Sequence, residues 1–595
     1  MGNIMNIKLW RIHIENYRSI KDAEIYLNQF SVLFGMNDSG KSNFLYALKL
    51  AFIGGNINAG DVFSSPEYPY SREKTVNIDL MFIPTNDYGN REKKFNDAWG
   101  LHFGENVNTD SNDDEFFAVR TSYAYNDEKE EYEWERKLIN SWENNSIITG
   151  KGIGFKTLSA IEFILMDAQR DIASDIRDKS SLWNKQIANI KLSGEIETEI
   201  EDSLLDIGSK IKNVVPLLQE VENNLSSALN EKNNKVEVSP ITRNISELYK
   251  GLDIYVTPEH SDSLSIANLG LGTRSRAVFS VLKTIIEKRM NKSQSTPYFC
   301  ILALEEPEAH IYPNSQRQLI QELLTITGQK IITTHSPYLL STSKMTDLIY
   351  VSLQGAKSKY TSISSLNIEN EEVRRIERAV LNTRGDILFS NITILVEGET
   401  EEQALPVFFQ DYFSKSTYSL GVNIVGVGGS GKNYLPFLQI LETIGVRWFI
   451  FSDGEEQTVN GLLKTLQMHK KTKAIDLQEF NNIVILDGTS YESYLVQNNY
   501  ANEIIRAINE YENKNQNEHI PPYFDRFKKR YNKNHQNNII PDENTLLIEC
   551  MKDGKTKYAT IIAQAICSEC GGDRKYPPKI LELMKKVEVS LGENK

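Results

Sequence analysis

Cysteine is scarce in this chain, which has four cysteines in 595 residues. Only Cys567 and Cys570 are close in sequence, which argues against a disulfide framework of the kind that stabilises small secreted domains. Cys550 could join this pair as a zinc ligand, but no fourth ligand is evident, so we do not expect a zinc site.

Long apolar runs and a surplus of positive charge are missing as well. No run reaches the roughly 18 to 20 apolar residues that a membrane-spanning helix needs, and the start has no export signal. We therefore expect a cytoplasmic protein without a membrane partner. The net charge of −14 repels nucleic acid on average, so DNA contact would require basic patches or metal ions at an acidic site.

The length predicts two or three domains, because 595 residues exceed what one hydrophobic core usually supports. Residues 35–42 read Gly-Met-Asn-Asp-Ser-Gly-Lys-Ser, between strand-like runs and a helical run, which is the context of a P-loop. Its backbone amides would face phosphate oxygens, with Lys41 on the terminal phosphates and Ser42 on a magnesium ion. The predicted nucleotide contacts here are Gly35, Asn37, Ser39, Gly40, Lys41, Ser42 and Asn43.

A second glycine-rich match, residues 426–432, has Asn433 where a metal-binding hydroxyl should follow. We interpret it as a tight loop between a strand and the helix that begins near Tyr434.

Another strand pattern, residues 298–304, ends in Glu305 and Glu306. At such a strand end the first carboxylate can hold magnesium and the second can orient the attacking water. Glu305 stands where aspartate is more usual. After the next predicted strand, residues 330–334, His335 is placed where an imidazole could sense the γ-phosphate.

Small residues at 269–275, Leu-Gly-Leu-Gly-Thr-Arg-Ser, precede a helical run from Ala277 and would present amides to an anion. Together with Ile-Glu-Asn-Tyr-Arg-Ser at 14–19, this segment resembles the ATPase heads of the ABC and SMC class, although it departs from their usual Leu-Ser-Gly-Gly-Gln. The resemblance implies that heads dimerise, that Gly270 and Gly272 close on a nucleotide held by a second head, and that Arg18 contacts nucleotide.

Two segments within this first part carry other patterns. Residues 72–135 contain strand-like stretches separated by polar residues, which predicts an antiparallel β lobe. Residues 186–234 place apolar side chains at helical spacing and predict a helical insertion. We favour packing of two protomers over DNA contact as its role.

A second acidic site is predicted near residue 397, where a buried strand ends at Glu397 and a later strand ends at Asp453 and Glu455. Such carboxylates fall in the crevice beyond the carboxyl ends of a parallel sheet and require divalent cations, magnesium or manganese, to neutralise them. Glu401 and Glu402 lie in a first helical turn, where acidic residues often only complement the helix dipole.

This order of Glu-Gly, glycine loop and Asp-x-Glu resembles the Toprim domain. With the ATPase motifs, the chain resembles the OLD (overcoming lysogenization defect) family of ATPase-Toprim nucleases, which includes Gabija-type and retron-associated nucleases. The resemblance implies that Glu397 binds metal and helps to activate water, that Asp453 and Glu455 hold metals, and that Glu401 supports them. It also assigns a second acidic position to Glu492, with Asp487 as the alternative, and stabilisation of the cleaved phosphate to Lys557.

The predicted fold is α/β, with an ABC/SMC-type P-loop ATPase head and helical dimerisation insertion followed by a Rossmann-like Toprim domain. The predicted boundaries are residues 1–185 and 241–388 for the head, 186–240 for the insertion, and 389–595 for the Toprim domain with its C-terminal helices. The basic, aromatic segment 522–531 could grip DNA phosphates or form an ordinary exposed helix with an apolar face.

The resemblance implies a nucleotide-regulated, metal-dependent DNA endonuclease of anti-phage defence, using ATP and Mg²⁺ or Mn²⁺ on double-stranded DNA as a homodimer or tetramer. Its partner would be helicase-like in Gabija types, or a reverse transcriptase with its DNA in retron types. One alternative is an SMC-like DNA repair or tethering ATPase, which would need a long coiled coil. Another is a topoisomerase or primase, but no segment indicates a tyrosine nucleophile domain or a nucleotidyl-transfer apparatus.

Overall fold

The computed structural model describes residues 6–65, 74–143, 146–167, 194–228, 239, 255–257, 263–292, 297–309, 311–363, 370–428, 431–472, 474–514, 521–534 and 541–592. The chain forms two compact units with interleaved segments, the first made of residues 1–33, 40–334 and 353–358 and the second of 34–39, 335–352 and 359–595. The three domain boundaries expected from the sequence remain predictions. Among the described helices, none is long and apolar enough to cross a membrane.

The described strands are β1 Ile7–Tyr17, β2 Ile20–Tyr26, β3 Phe30–Phe34, β4 Val76–Pro84, β5 Asn108–Thr109, β6 Glu115–Asn126, β7 Glu131–Glu143, β8 Ser146–Gly152, β9 Ile161–Met166, β10 Tyr255–Val256, β11 Leu264–Ser265, β12 Phe299–Glu305, β13 Gln329–Thr334, β14 Leu348–Gln354, β15 Lys357–Ser362, β16 Ile392–Val396, β17 Val422–Gly426, β18 Arg447–Ser452 and β19 Ile483–Ile485.

The described α-helices are α1 Lys41–Ile53, α2 Asp97–Phe103, α3 Gly194–Val214, α4 Pro216–Ala228, α5 Leu271–Lys292, α6 Pro313–Thr325, α7 Pro337–Leu340, α8 Asn370–Ile376, α9 Glu399–Phe413, α10 Thr417–Leu420, α11 Leu435–Ile444, α12 Glu456–Lys470, α13 Tyr491–Gln497, α14 Ala501–Asn513, α15 Tyr523–Asn534, α16 Glu543–Asp553, α17 Lys555–Glu569 and α18 Pro578–Gly592.

The first unit contains an antiparallel sheet in the order β2-β1-β4-β6-β7-β8, with β5 added beside β6. Burial alternates in the middle of β1, where Ile12 and Ile14 are fully buried while His13 and Glu15 are partly exposed. Four of these strands, β4, β5, β6 and β7, fall in or overlap residues 72–135, so the predicted antiparallel lobe is confirmed.

Neighbouring strands β3, β13, β12 and β9 lie side by side in that order. Strand β12 pairs in parallel with β13 on one side and with β9 on the other. Its residues from Phe299 to Leu304 are all buried, as expected for a strand covered on both faces. The two strands predicted before Glu305 and His335 are therefore confirmed.

The helical insertion is confirmed where the structure describes it, as α3 and α4 separated at Pro216, whose ring cannot continue the preceding helix. Its ends, residues 186–193 and 229–234, lie outside the described residues. Dimerisation through it stays a prediction. Helix α5 begins at Leu271, six residues before the expected start at Ala277, so Gly270 precedes the helix but Gly272 lies in its first turn.

The second unit is built on a four-stranded parallel sheet in the order β17-β16-β18-β19. This is the Rossmann-like sheet that the sequence predicts. The C-terminal helices pack beside it in one hydrophobic core that includes Phe408, Ile504, Leu547, Ile566 and Leu583.

Two predictions about loops and basic segments can be followed here. The glycine segment 426–432 is a connection between β17 and α11, as predicted, although residues 429 and 430 lie outside the described ones. The basic segment forms α15, with Phe524 and Phe527 buried and Lys528 paired with Glu543 at 2.8 Å. This arrangement matches a helix with an apolar face, while DNA contact by α15 stays a prediction.

Candidate metal centre and nucleotide site

The P-loop glycines stand where a side chain could not fit. Gly40 caps α1 with a φ of 106°, and a Cβ there would lie 2.1 Å from Ser358 Oγ. Gly35 has a φ of 153°, and a Cβ there would lie 2.0 Å from the Val351 carbonyl oxygen. Lys41 is buried at the first position of α1. The local backbone is thus shaped by close approach of neighbouring chain segments.

Ser42 and Glu305, both predicted to support a magnesium ion, are in direct contact, with the Ser42 hydroxyl donating to Glu305 Oε1. The next residue, Glu306, has a φ of 43°, a left-handed conformation that costs energy for a residue with a Cβ and is concentrated at functional sites. Its amide donates to the Thr333 carbonyl at 3.0 Å, which holds the turn after β12.

Arg18 lies beside the P-loop helix. Its Nε donates to Asp61 Oδ1 at 2.9 Å and its Nη1 to Asn43 Oδ1 at 3.4 Å. Asn43 in turn donates to Ser19 Oγ at 2.8 Å. Asp61 therefore orients the guanidinium next to α1, and sequence reasoning missed this residue because it lies outside every motif.

The remaining predicted nucleotide residues have simple placements. His335 directly follows β13 and is partly buried, and Asn37 and Gly270 are exposed. Glu308, which no motif included, is buried and accepts a hydrogen bond from Thr334 Oγ1 at 2.5 Å. A Glu-Glu-Pro-Glu series was visible in the sequence, but nothing there separated a buried carboxylate from an exposed one. The nucleotide roles of all these residues stay predictions.

We expect Ser42→Ala and Glu305→Gln to weaken nucleotide binding only when magnesium is present, because both changes remove an oxygen that would support the ion. The expected loss of affinity is about 10-fold, comparable to the loss of one supporting interaction at a metal site. Calorimetric titration with ATP, in Mg²⁺ and in EDTA, measures it. An equal loss in EDTA would contradict a role on the ion.

In the second unit, Glu397 directly follows β16, and its Oε1 accepts a hydrogen bond from the Thr458 hydroxyl at 3.3 Å. Glu401, in the first turn of α9, is 5% exposed and accepts from the Gly398 amide at 3.0 Å. Glu401 therefore caps the helix, whereas the structural role weighed in the sequence analysis was to complement the helix dipole. Glu402 instead contacts the end of β17, where its carboxylate accepts a hydrogen bond from the Gly426 amide at 3.1 Å.

Asp453 directly follows β18, the neighbour of β16, so it emerges at the same sheet edge as Glu397. Gly454 allows β18 to end against β19: a Cβ there would lie 1.7 Å from the Leu486 carbonyl oxygen, and its amide donates to Thr489 O at 2.9 Å. Glu455 is exposed at the start of α12.

Glu492 and Asp487, the alternatives for the second acidic position, lie in different surroundings. Glu492 is 8% exposed on α13, and its charge is among those that act on Asp453. The Asp487 side chain is 71% exposed and lies 3.8 Å from Lys579. The structure brings Glu492, rather than Asp487, to the other carboxylates.

Burial and mutual repulsion dominate the electrostatics of this cluster. Burial, and then the charges of Glu401 and Glu397, raise the pKa of Asp453 to about 8. Burial, and then the charge of Glu492, raise the pKa of Glu401 to about 7. The Oδ1 atom of Asp453 is buried and accepts no hydrogen bond within the described part of the chain.

These carboxylates fit divalent cations by donor chemistry, since hard oxygen ligands suit magnesium and manganese and an unsatisfied buried oxygen faces the cluster. Among the described residues, however, no three His, Cys, Asp or Glu side chains are already arranged as a metal site. Binding would therefore require side-chain rotation, and the exposed Glu455 is the freest to turn.

Sequence reasoning missed three hydroxyl residues at this site. Thr458 orients Glu397. Burial, and then the charges of the carboxylates, raise the pKa of the buried Tyr434 and Tyr491. Nothing in the sequence distinguished these from the other tyrosines and threonines of the chain.

Lys557 is not among the groups that act on this cluster. It is exposed on α17 and pairs with Glu512, which raises the pKa of Lys557. Its role in phosphate stabilisation stays a prediction and would require the Lys557–Glu512 pair to open.

Of the three cysteines considered for zinc, Cys550 is buried and Cys570 contacts Glu503 at 3.4 Å.

A family model for the AAA ATPase domain matches residues 5–340, more than half of the chain. The chain belongs to the AAA ATPase domain family. A second model, for the Toprim domain of overcoming lysogenization defect-like proteins, matches residues 388–454. The predicted combination of ATPase and Toprim domains, and the resemblance to OLD-family proteins, are confirmed.

Two nucleases align with this ATPase-Toprim protein over most of their length. The Old nuclease of Escherichia phage P2 is 24% identical over 76% of this chain and 77% of its own. The endonuclease GajA of Bacillus cereus strain VD045 is 24% identical over 76% of each chain. A solved Smc head domain, bound to a ScpA domain from Pyrococcus furiosus, covers 62% of this chain and 99% of its own at 14% identity, with a TM-score of 0.35.

Proposed function

We propose that this protein is a divalent-metal-dependent DNA endonuclease whose Toprim site is regulated by nucleotide at the ATPase domain, and that it acts in bacterial anti-phage defence. The observation that carries the proposal is the placement of Glu397 and Asp453 at the ends of the neighbouring parallel strands β16 and β18. Burial, and then the charges of Glu401, Glu397 and Glu492, raise the pKa of Asp453 there to about 8. The nuclease names of the two relatives support it.

The loss of folding stability that this acidic cluster causes is the main physical argument that it binds metal ions. Like charges placed together in a partly buried site destabilise the fold unless cations or protons neutralise them. A structural role would be served as well by neutral side chains, so four acidic ones point to ligand binding. Bound divalent cations would lower the pKa of the attacking water and balance charge on the phosphate.

The protein's own residues would divide the work. Glu397, Asp453 and Glu455 would hold the cations, and the Thr458 hydroxyl would fix the Glu397 carboxylate in place. Glu401, held by the Gly398 amide, would support them at the helix start. Because phosphodiester hydrolysis is downhill, ATP would act as a conformational control and not as the energy source.

We propose that the substrate is DNA. We also propose that the first partner of this chain is a second copy of itself. Dimerisation through ATPase heads follows from the resemblance to ABC and SMC heads, and a tetramer would follow if the helical insertion adds a second interface. A helicase-like partner would indicate a Gabija-type nuclease. A reverse transcriptase with its DNA as partner would indicate a retron-associated nuclease.

Plasmid cleavage tests this function directly. We expect supercoiled plasmid to be cut in Mg²⁺ or Mn²⁺ but not in EDTA, with ATP changing the rate. Glu397→Ala should abolish cleavage and leave ATP binding intact. Cleavage by Glu397→Ala at the wild-type rate would show that the Toprim site does not perform the reaction. Cleavage in EDTA would show that the reaction does not need a metal.

A further inference from the structure

A cavity of about 670 Å³ lies in the second unit, next to Arg384 and Gly426, which both contact Glu402. It is lined by α8, by the turn that follows it, by the loop after β17, and by α11 and α12. The glycine segment that the sequence analysis interpreted as a tight loop contributes Gly426, Val427 and Lys432 to its wall. The proposed cleavage reaction leaves this cavity without a role.

Positive charge is concentrated on this cavity in a chain whose net charge is −14. Its lining includes Arg375, Arg378, Arg384 and Lys432 but one carboxylate, that of Glu372. Cations on an acidic protein usually lie scattered in ion pairs on the surface. Four cations around one concavity create a positive potential that favours an anion.

The ion pairs at the cavity leave two of these cations available. Arg384 is occupied, since its Nη1 lies 3.2 Å from Glu402 Oε1, and Arg375 lies 4.0 Å from Glu371. Arg378 and Lys432 form no ion pair with any side chain in the described part of the chain. Both are exposed, so they can meet an incoming phosphate without first breaking an ion pair.

Arg378 is presented by an unusual piece of backbone. Residues Glu377–Leu381 form a π-helical turn, in which the Asn382 amide donates to the Glu377 carbonyl at 3.0 Å. Such turns are rare and are found frequently at functional sites, because they shift side chains out of α-helical register. The turn directly continues α8, so Arg378 lies in the π-helical turn and its spacing from Arg375 differs from that of a regular α-helix.

Part of the remaining wall is apolar, beside the polar side chains of Thr383, Asn433, Gln439 and Thr465. Leu435 and Phe437 are buried where they line the cavity, whereas Met468 is 61% exposed. Methionine adapts to flat aromatic partners through its flexible, polarizable thioether. Cations on one side and an apolar surface on the other match a ligand that has a phosphate and a base.

We propose that this cavity binds a nucleoside phosphate, with its phosphate at Arg378 and Lys432 and its base against Met468 and the apolar wall. The nucleotide is either free or part of a DNA strand. Its position favours the strand: β17 and β16 are neighbours, and the Gly428 amide donates to the Glu397 carbonyl at 2.8 Å. A strand across the acidic cluster therefore passes within a few nucleotides of the cavity.

Binding without cleavage tests the proposal, so the result does not depend on nuclease activity. The parent is the full chain carrying Lys41→Ala, which removes the P-loop lysine, in EDTA. The probes are a fluorescein-labelled oligothymidylate and a fluorescent ATP analogue, each followed by anisotropy. The test variant adds Arg378→Glu and Lys432→Glu, and a milder one adds Arg378→Gln and Lys432→Gln. The matched control adds Lys415→Glu and Lys585→Glu, which reverse two exposed charges of the second unit outside the cavity.

We expect the charge-reversed variant to lose at least about 10-fold in affinity for one probe, and the glutamine variant to lose less, because two charge-assisted phosphate interactions are removed. The control should change by less than about 2-fold. Loss confined to the oligonucleotide identifies a strand subsite, and the slope of its affinity against salt should fall by about 0.7 for each phosphate interaction that the substitutions remove. Loss confined to the ATP analogue identifies a free nucleotide. Unchanged affinity for both probes, no binding by the parent, or an equal loss in the Lys415→Glu, Lys585→Glu protein would overturn the proposal.

Discussion

Asp453→Asn is expected to lower metal-dependent plasmid cleavage by at least about 100-fold, the upper end of what loss of a residue supporting a metal costs, while making the metal-free protein more stable. Asp453 Oδ1 is buried and accepts no hydrogen bond within the described residues, and neighbouring carboxylates repel its charge. An amide keeps the shape, removes the charge and can donate to the acidic groups around it. The gain should be roughly 1–3 kcal/mol, the usual cost of an unsatisfied buried group.

The two effects together separate a functional site from a structural one. A carboxylate kept for structure would lose stability on replacement, whereas one kept for binding loses activity and gains stability. In thermal melts, Mn²⁺ should stabilise the wild type by mass action and should stabilise Asp453→Asn less. Asp487→Asn is the matched control, because Asp487 follows the adjacent strand and is exposed beside Lys579. Loss of stability in Asp453→Asn, with unchanged cleavage, would contradict this account of the cluster.

Asp79→Ala is expected to destabilise the first unit by roughly 3–5 kcal/mol, the cost of leaving buried charges without their partner. Asp79 is fully buried on β4 and accepts two bonds of 2.7 Å from Arg120, directly across on β6. On the other side His13 of β1 lies 2.9 Å from the same carboxylate. Hydrogen-exchange mass spectrometry of β1, β4 and β6 in increasing urea measures the loss. Glu135→Ala, which removes an exposed pair with Lys137, should leave the exchange unchanged.

The contacts among His13, Asp79 and Arg120 also predict that the stability of the first unit depends on pH. Burial lowers the pKa of His13, but the hydrogen bonds and charges of Asp79 and Asp22 outweigh it and raise the pKa above its usual value. A raised folded-state pKa adds stability that is complete below the unfolded value of about 6.5 and is lost as pH rises through the folded value. Protection of β1 should therefore fall with rising pH above about 6.5 in the wild type and should change less in Asp79→Ala. A rise in the wild type over this range would contradict the argument.

The sequence was enough to predict the strands and loops that carry the sites, because continuous apolar runs such as Phe299 to Leu304 and Ile392 to Val396 mark buried parallel strands. It also placed Glu397 and Asp453 at strand ends, where parallel pairing brings them to one edge. The start of α5 was misplaced, because small residues such as Gly272 are poor helix formers and tertiary context overrode their propensity.

What the sequence could not give were contacts between distant residues. The approach of Gly454 to Leu486, the hydroxyl of Thr458 on Glu397 and the Ser42 contact with Glu305 depend on how strands and helices are assembled. The His13–Asp79–Arg120 row is invisible for the same reason, since cross-strand register is fixed by pairing across 66 and 41 residues of chain. Lys557 shows the converse, because a motif match named it and the structure pairs it with Glu512.

The most direct measurement is anomalous diffraction from crystals of the wild type soaked in MnCl₂. The account predicts manganese peaks at the β16 and β18 strand ends, with carboxylate oxygens of Glu397 and Asp453 turned onto them and, for a two-metal site, a separation of about 3.5–4 Å. Crystals in which manganese binds elsewhere while Glu397 and Asp453 point away from each other would contradict it.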